Sequence, residues 1–184
     1  MKKIFTLLLI SAFTLTSCGD DGPVGPQGPQ GPQGPAGADG FIGTVIDLRG
    51  SFASADDFLE LKFNDEGIEV FESDVVLVYL KTGEDGEAGG LPVEVFSMLP
   101  QTYFIDGQIL QYDFDFTFFS VQIFLKGTVD FAELDSSYTD NQIFRIVVVP
   151  AEFAETSGVD LSNMKAVMHA LDIQSDDIKL GEIQ

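Results

Sequence analysis

The chain has 184 residues and carries 30 acidic against 9 basic side chains, a formal net charge of −21. Lys2 and Lys3 precede the single cysteine, Cys18, so the rest of the chain holds 7 basic residues (9 minus 2) and a charge of about −23 (7 minus 30). This acidic excess argues against binding to nucleic acid or to anionic lipid, where lysine and arginine supply the attraction. One cysteine excludes an intramolecular disulfide, so the fold must be stabilised by apolar burial.

Residues 1–17 have the three parts of a secretory signal peptide. Lys2 and Lys3 form the basic start, an apolar run extends from Ile4 to Leu15, and small residues precede Cys18. The run has about 12 residues, fewer than the ~20 of a transmembrane helix. We expect cleavage between Ser17 and Cys18.

The sequence Leu15-Thr16-Ser17-Cys18 resembles the lipobox of bacterial lipoproteins. In that family the cysteine thiol is diacylated, the signal peptide is cut before it, and the new amine is usually acylated. Two or more acyl chains hold a protein stably on a membrane. The alternative is a free or buried cysteine after an ordinary signal peptide. Asp20 and Asp21 resemble the acidic export signals that direct Bacteroidetes lipoproteins to the cell surface.

Residues 19–43 form a collagen-like repeat of eight Gly-X-Y triplets and a ninth glycine. Glycine stands at every third position: Gly19, Gly22, Gly25, Gly28, Gly31, Gly34, Gly37, Gly40 and Gly43. In a triple helix only glycine fits beside the axis, and proline presets the polyproline II dihedrals. No Y position is proline, which excludes hydroxyproline there and lowers the expected stability. Two states stay open: a homotrimeric triple helix, and a monomer on a semi-rigid polyproline II stalk of about 75 Å.

From Thr44 the sequence period changes from three to two, which marks the start of a domain over residues 44–184. Residues 44–49 and 58–63 alternate as half-buried strands do; in the second, Leu59, Leu61 and Phe63 face one way. Residues 75–80 and 143–149 are apolar on both faces and are predicted to be central strands.

The remaining segments predict further strands and one helix. Residues 82–90 are glycine-rich and acidic, typical of a loop, and residues 93–98 form the next strand. Phenylalanines alternate with polar residues over 113–118, and a slip of phase at residues 118–119 predicts a turn or bulge. Asp160 is a plausible N-cap for a helix whose apolar stripe ends at Leu171 and packs against the sandwich edge. Residues 177–180 add an edge strand.

The pattern predicts a mainly β domain: a β-sandwich, immunoglobulin-like or similar, of about eight strands with one C-terminal helix. It follows the collagen-like or polyproline II stalk. The domain order is therefore signal peptide (1–17), lipidated cysteine (18), stalk (19–43) and β-sandwich (44–184).

No catalytic set, metal site or cofactor is predicted. His169 is the sole histidine, and no serine lies in a nucleophile-elbow sequence. Calcium prefers clustered oxygen ligands on a turn, and the acidic residues closest to that pattern form two groups without EF-hand spacing. They are Glu84, Asp85 and Glu87, followed by Asp172, Asp176 and Asp177. We expect both groups to be solvated loops.

The whole layout resembles the short collagen-like lipoproteins of Bacteroidetes, which carry a lipobox, a brief run of triplets and a β-rich domain. In the domain the resemblance covers segments at residues 74–79, 99–100, 144–150 and 164–168. It implies a non-enzymatic outer-membrane lipoprotein facing the cell exterior, with no nucleic-acid partner. The alternative is a ligand- or glycan-binding module, or an enzyme, at the same surface. That alternative depends on a solvent-facing Tyr112 and on the acidic loops.

Overall fold

A computed structural model describes residues 43–181, in which nine β-strands form two sheets. The strands are β1 (Thr44–Gly50), β2 (Phe58–Lys62), β3 (Val75–Ala88), β4 (Leu91–Met98), β5 (Gln101–Ile105), β6 (Gln108–Phe116), β7 (Ser120–Gly127), β8 (Gln142–Val149) and β9 (Lys179–Gly181). One sheet has the order β4-β3-β8-β1-β9 and the other the order β2-β7-β6-β5.

The predicted mainly β, sandwich-like architecture is confirmed. So are the two central strands, because β3 and β8 lie side by side within the larger sheet.

The main core lies between the two sheets. Leu59, Leu61 and Phe63 point into it as predicted, opposite Ile46 and Ile146 of the larger sheet. Burying a large apolar side chain fully contributes about 1.5–3 kcal/mol relative to leaving it exposed. This layer therefore stabilises the domain without disulfides.

A second core covers the outer face of the five-stranded sheet. Two short helices lie there, α1 (Ala151–Thr156) and α2 (Met164–Ala170). Three 3₁₀ turns lie elsewhere in the chain, at Phe131–Glu133, Ser136–Tyr138 and Ser175–Asp177. The predicted strand over residues 44–49 is β1, with Ile46 and Leu48 packed between the sheets and Arg49 exposed on the other face. Val45, on that same outer face, is buried under the helix layer, which the prediction of a half-buried strand did not include.

The predicted loop over residues 82–90 is a β-hairpin. β3 continues to Ala88 and pairs with β4, and the turn uses Gly89 and Gly90 at φ of 63° and 82°. The prediction failed because this ribbon is mostly exposed, so its strands carry no inside-outside alternation of apolar residues. We call residues 81–94 the acidic ribbon.

The helices also differ from the prediction. α2 begins at Met164, and its N-cap is Asn163, whose side chain accepts the backbone N–H of Ala166 at 3.2 Å. Asp160 instead accepts the backbone N–H of Ser162, one turn earlier. α1, which begins directly after Pro150 and buries Phe153, is not predicted from the sequence. α2 packs on the sheet face rather than at the sandwich edge.

Two smaller predictions are confirmed. The phase slip at residues 118–119 is the turn between β6 and β7. The edge strand near the end of the chain is β9, which pairs in parallel with β1.

The start of β1 and the turn between β6 and β7 lie at the same end of the sandwich. β1 and β3 run in the same direction, since both pair antiparallel with β8. A Cβ built on Gly181 would lie 2.8 Å from methyl groups of both Ile46 and Leu61, so these two side chains are close. The Phe52 ring, just after the end of β1, contacts Tyr112 in the middle of β6 instead. β1 therefore begins on the side where β2 and β6 end. Leu61 pairs with Val121, which is next to the β6–β7 turn. This turn therefore lies at the end where the chain enters β1, here called the entry end.

Gly43 packs directly on the domain. A Cβ added there would lie 2.6 Å from Cδ1 of Leu171 and 3.3 Å from the carbonyl oxygen of Val148. A side chain at the last position of the repeat would therefore have to displace the Leu171 side chain. Within residues 43–181 no helix is long and apolar enough to cross a membrane.

Candidate functional site

A buried arginine stands on the outer face of the five-stranded sheet. The Arg145 side chain is only 9% exposed, and Asp47 lies directly beside it in the β1–β8 register. The Asp47 carboxylate accepts two hydrogen bonds, from Nε at 2.7 Å and from Nη2 at 2.8 Å. This bidentate geometry fixes the guanidinium plane.

Residues of β4 and α2 enclose the same guanidinium. Its Cζ lies 4.3 Å from the ring centroid of Phe96, a cation–π contact. Nη2 lies 3.6 Å from Oε2 of Glu94, and Nη1 contacts the Met164 sulfur at 3.5 Å. The positive charge is thus satisfied from several directions, as a buried charge requires.

The network continues into the acidic ribbon through Lys81. Its Nζ lies 2.9 Å from carboxylate oxygens of both Glu94 and Glu84. Lys81 donates a hydrogen bond to each carboxylate, and these bonds, chiefly the one to Glu94, raise the pKa of Lys81. A chain of alternating charges therefore connects the sheet face with the base of the ribbon.

An open groove of about 600 Å³ lies above this network. Arg145, Asp47 and Phe96 line it, together with Glu94, Lys165 and Lys179 and several apolar residues. We call it the arginine groove. Its charged side chains sum to +1 (three cations minus two carboxylates), although the whole chain has a net charge of −21. An acidic ligand would therefore meet less repulsion here than over the chain as a whole.

The calcium candidates lie on the ribbon and near the end of the chain. Glu84 is paired with Lys81, and Asp85 lines a second cavity of about 480 Å³ beside the start of α2. Glu87 lies further along β3, opposite Pro92. In the second group, the Asp177 carboxylate accepts the backbone N–H of Gln174. Across residues 43–181 the structure gathers no group of three histidine, cysteine or carboxylate side chains that could hold a metal ion.

Tyr112 does not face solvent, so that basis for glycan binding was wrong. It is 1% exposed, and its hydroxyl donates a hydrogen bond to the carbonyl oxygen of Tyr138 at 2.6 Å. The alternation of β6 turns Leu110 and Tyr112 toward the other sheet, where the Tyr112 and Phe52 rings pack edge to face. Burial raises the pKa of Tyr112. His169 lies exposed on α2.

The arginine groove is not among the sites that the sequence predicts. The available signal was a charged residue, Arg145, inside the apolar run of residues 143–149, together with Asp47 in another strand. A charge in a central strand requires a partner, but the sequence does not show which strand is adjacent.

Several predicted sites lie outside the described residues: Ser17, Cys18, Asp20, Asp21 and the glycines of the repeat up to Gly40. Their roles stay predictions. Comparison of the chain with protein-family models, with curated proteins and with solved structures finds no match.

Proposed function

We propose that this chain is a non-enzymatic lipoprotein of the outer membrane that displays its β domain at the cell surface on a collagen-like stalk. One observation carries the proposal: a lipobox cysteine, eight Gly-X-Y triplets and a folded domain follow one another without other intervening sequence. An anchor, a spacer and a module in this order form a display device. The domain's role is structural or adhesive.

Two properties of the described domain support this proposal. The domain has its own two-layered core, so it does not need the preceding residues to bury its apolar side chains. Its acidic surface favours solubility outside the membrane. We also propose that the chain is related to the collagen-like lipoproteins of Bacteroidetes. The sandwich is proposed to be immunoglobulin-like.

Two variants separate anchoring from export. Cys18→Ala should abolish lipid labelling and remove the chain from the outer-membrane fraction. Asp20→Ala/Asp21→Ala should stay lipidated but lose reactivity with a membrane-impermeant reagent on intact cells. Lipid labelling of Cys18→Ala at the wild-type level would refute the anchor. A wild-type chain that is labelled only after permeabilisation of the outer membrane would refute surface display.

A second candidate function is binding of an acidic glycan in the arginine groove. The observation that favours it is the placement of Lys165 and Lys179 beside an apolar floor that includes Phe96. Uronic-acid residues carry carboxylates that these ammonium groups would attract. Arg145 is already paired with Asp47 and would serve as a fixed part of the floor.

Calorimetric titration with uronic-acid oligosaccharides tests this second function. Lys165→Gln/Lys179→Gln should weaken binding, whereas the matched pair Lys62→Gln/Lys126→Gln, on the other sheet, should not. No heat of binding to the wild-type chain, or equal weakening by both pairs, would contradict it.

A further inference from the structure

Three exposed phenylalanines cluster at the β6–β7 turn. Phe116, Phe118 and Phe119 are 45%, 43% and 58% exposed, and the rings of Phe118 and Phe119 lie 4.0 Å apart. Phe116 also stacks on Phe114, which packs against the core. We call these three residues the phenylalanine tip. Exposed aromatic side chains in contact with one another are typical of an interaction surface.

The turn that carries the tip is well defined. The backbone N–H of Thr117 donates to the carbonyl of Ser120 at 2.9 Å, and the Thr117 hydroxyl oxygen accepts the N–H of Phe119 at 3.1 Å. The backbone N–H of Phe63 donates to the carbonyl of Phe119 at 3.0 Å, which ties the turn to the end of β2. A turn held in this way loses little conformational entropy on binding.

The tip lies at the entry end of the sandwich. Phe116 pairs with Val121, and Val121 with Leu61, whose side chain lies opposite Ile46 near the start of β1. The chain enters β1 directly from the collagen-like repeat. The exposed phenylalanines therefore occupy the end of the domain that the repeat joins.

We propose that the phenylalanine tip is the surface through which three copies of this chain associate, and that this contact aligns their Gly-X-Y repeats. The inference rests on the stalk part of the proposed function and extends it by naming the partner and the contact. A triple helix of eight triplets without hydroxyproline loses the conformational entropy of many residues when it forms. A contact at the entry end brings the three repeats together where they leave the domains, which reduces that entropic cost.

A second copy fits this surface better than a lipid bilayer does. Asp115 flanks the tip on β6, and Asp65 lies in the turn that follows Phe63. These carboxylates oppose contact with anionic lipid. They also repel one another between copies, but salt screens that repulsion over about 8–10 Å at 0.1–0.15 M ionic strength. Association through the tip should therefore strengthen as salt is raised from a low concentration.

The test uses the full-length chain, purified in mild detergent, in density-matched sedimentation at low and at moderate salt. The wild-type chain should be a trimer at moderate salt. Phe118→Ser/Phe119→Ser should raise the dissociation constant at least about tenfold, because it removes two large apolar side chains from each contact. It should also lower the melting temperature of the triplet region in circular dichroism.

The matched control is Phe58→Ser/Phe104→Ser. It removes two phenylalanines, 48% and 79% exposed, from the same sheet at the end away from the tip. This variant should assemble like the wild-type chain. A wild-type monomer at both salt concentrations, a stable dimer, or equal effects of the two double variants would overturn the proposal. These outcomes are independent of surface labelling, so failure here does not imply failure of surface display.

Discussion

Arg145 shows how one residue organises the outer face of the larger sheet. Its guanidinium joins β8 to β1 through Asp47, to β4 through Phe96, and to α2 through Met164. Burying a charge costs free energy that only a well-placed partner offsets. Asp47 is therefore expected to stabilise the domain chiefly by preventing Arg145 from being left unpaired.

Asp47→Ala should lower the free energy of unfolding by about 3 kcal/mol, because it leaves a buried guanidinium without its bidentate partner. Urea denaturation measures this change. The matched control is Asp113→Ala, which breaks an ion pair to a Lys126 that is 54% exposed and should cost less than about 1 kcal/mol. Replacing both partners, as Asp47→Leu/Arg145→Leu, should cost less than Asp47→Ala alone. A larger cost for the double variant would contradict the argument from an unpaired charge.

Two buried tyrosines should make the domain less stable at alkaline pH. Burial raises the pKa of Tyr79 and of Tyr112, and each hydroxyl donates to a carbonyl, of Leu161 and Tyr138 respectively. Above pH of about 10 tyrosines ionise in the unfolded state but stay protonated in the folded one. The unfolded state then binds fewer protons, so the free energy of unfolding is fully retained below pH 10 and falls above it.

The slope should reach about 0.7 kcal/mol per pH unit for each tyrosine at pH 10 and approach about 1.4 well above it, in addition to contributions from groups such as Lys81 that act in the same direction. Urea denaturation between pH 9 and 11 measures it. Tyr79→Phe/Tyr112→Phe should reduce the slope at pH 11 by about 2.5 kcal/mol per pH unit. An unchanged slope in this double variant would show that other groups make the domain less stable at alkaline pH.

At the scale of elements, the sequence predicts those strands whose burial gives their apolar residues a regular pattern. The two central strands and β2 were recognised because their apolar residues run continuously or alternate. For the acidic ribbon the sequence predicts a loop, because exposed strands lack that alternation. The groove depends on Asp47 and Arg145 being neighbours across two strands that are 98 residues apart in sequence, which local patterns do not encode.

Gly127 closes β7 in a conformation that requires glycine. Its φ is +146°, and an added Cβ would lie 1.9 Å from the carbonyl oxygen of Ile109. Gly127→Ala should therefore cost at least about 3 kcal/mol, since backbone rather than a flexible side chain would have to move. Thermal or urea unfolding measures the change. Gly83→Ala, where nothing lies within 4 Å of the added Cβ, should be nearly neutral. Similar losses in both variants would contradict the steric argument.

At the scale of the whole molecule, charge opposes compactness. With a net charge of −21 the folded chain repels itself, and salt should screen that repulsion. Raising sodium chloride from about 0.01 to 0.15 M should increase the free energy of unfolding by about 1 kcal/mol.

Magnesium and calcium chloride at matched ionic strength should increase the free energy of unfolding equally. A gain specific to calcium that is lost in Glu84→Gln/Asp85→Asn/Glu87→Gln would instead establish a calcium site on the acidic ribbon.

The position of β1 has a mechanical consequence. If the chain is anchored through Cys18, any pulling force from the membrane reaches the domain at Thr44. β1 is clamped between β8 and β9, with seven residue pairs to β8 from Thr44 to Gly50. A force directed along the strand loads these pairs together, in shear, rather than opening them one after another. Forced unfolding is governed by the rate of unfolding, and a load shared by seven residue pairs should lower that rate.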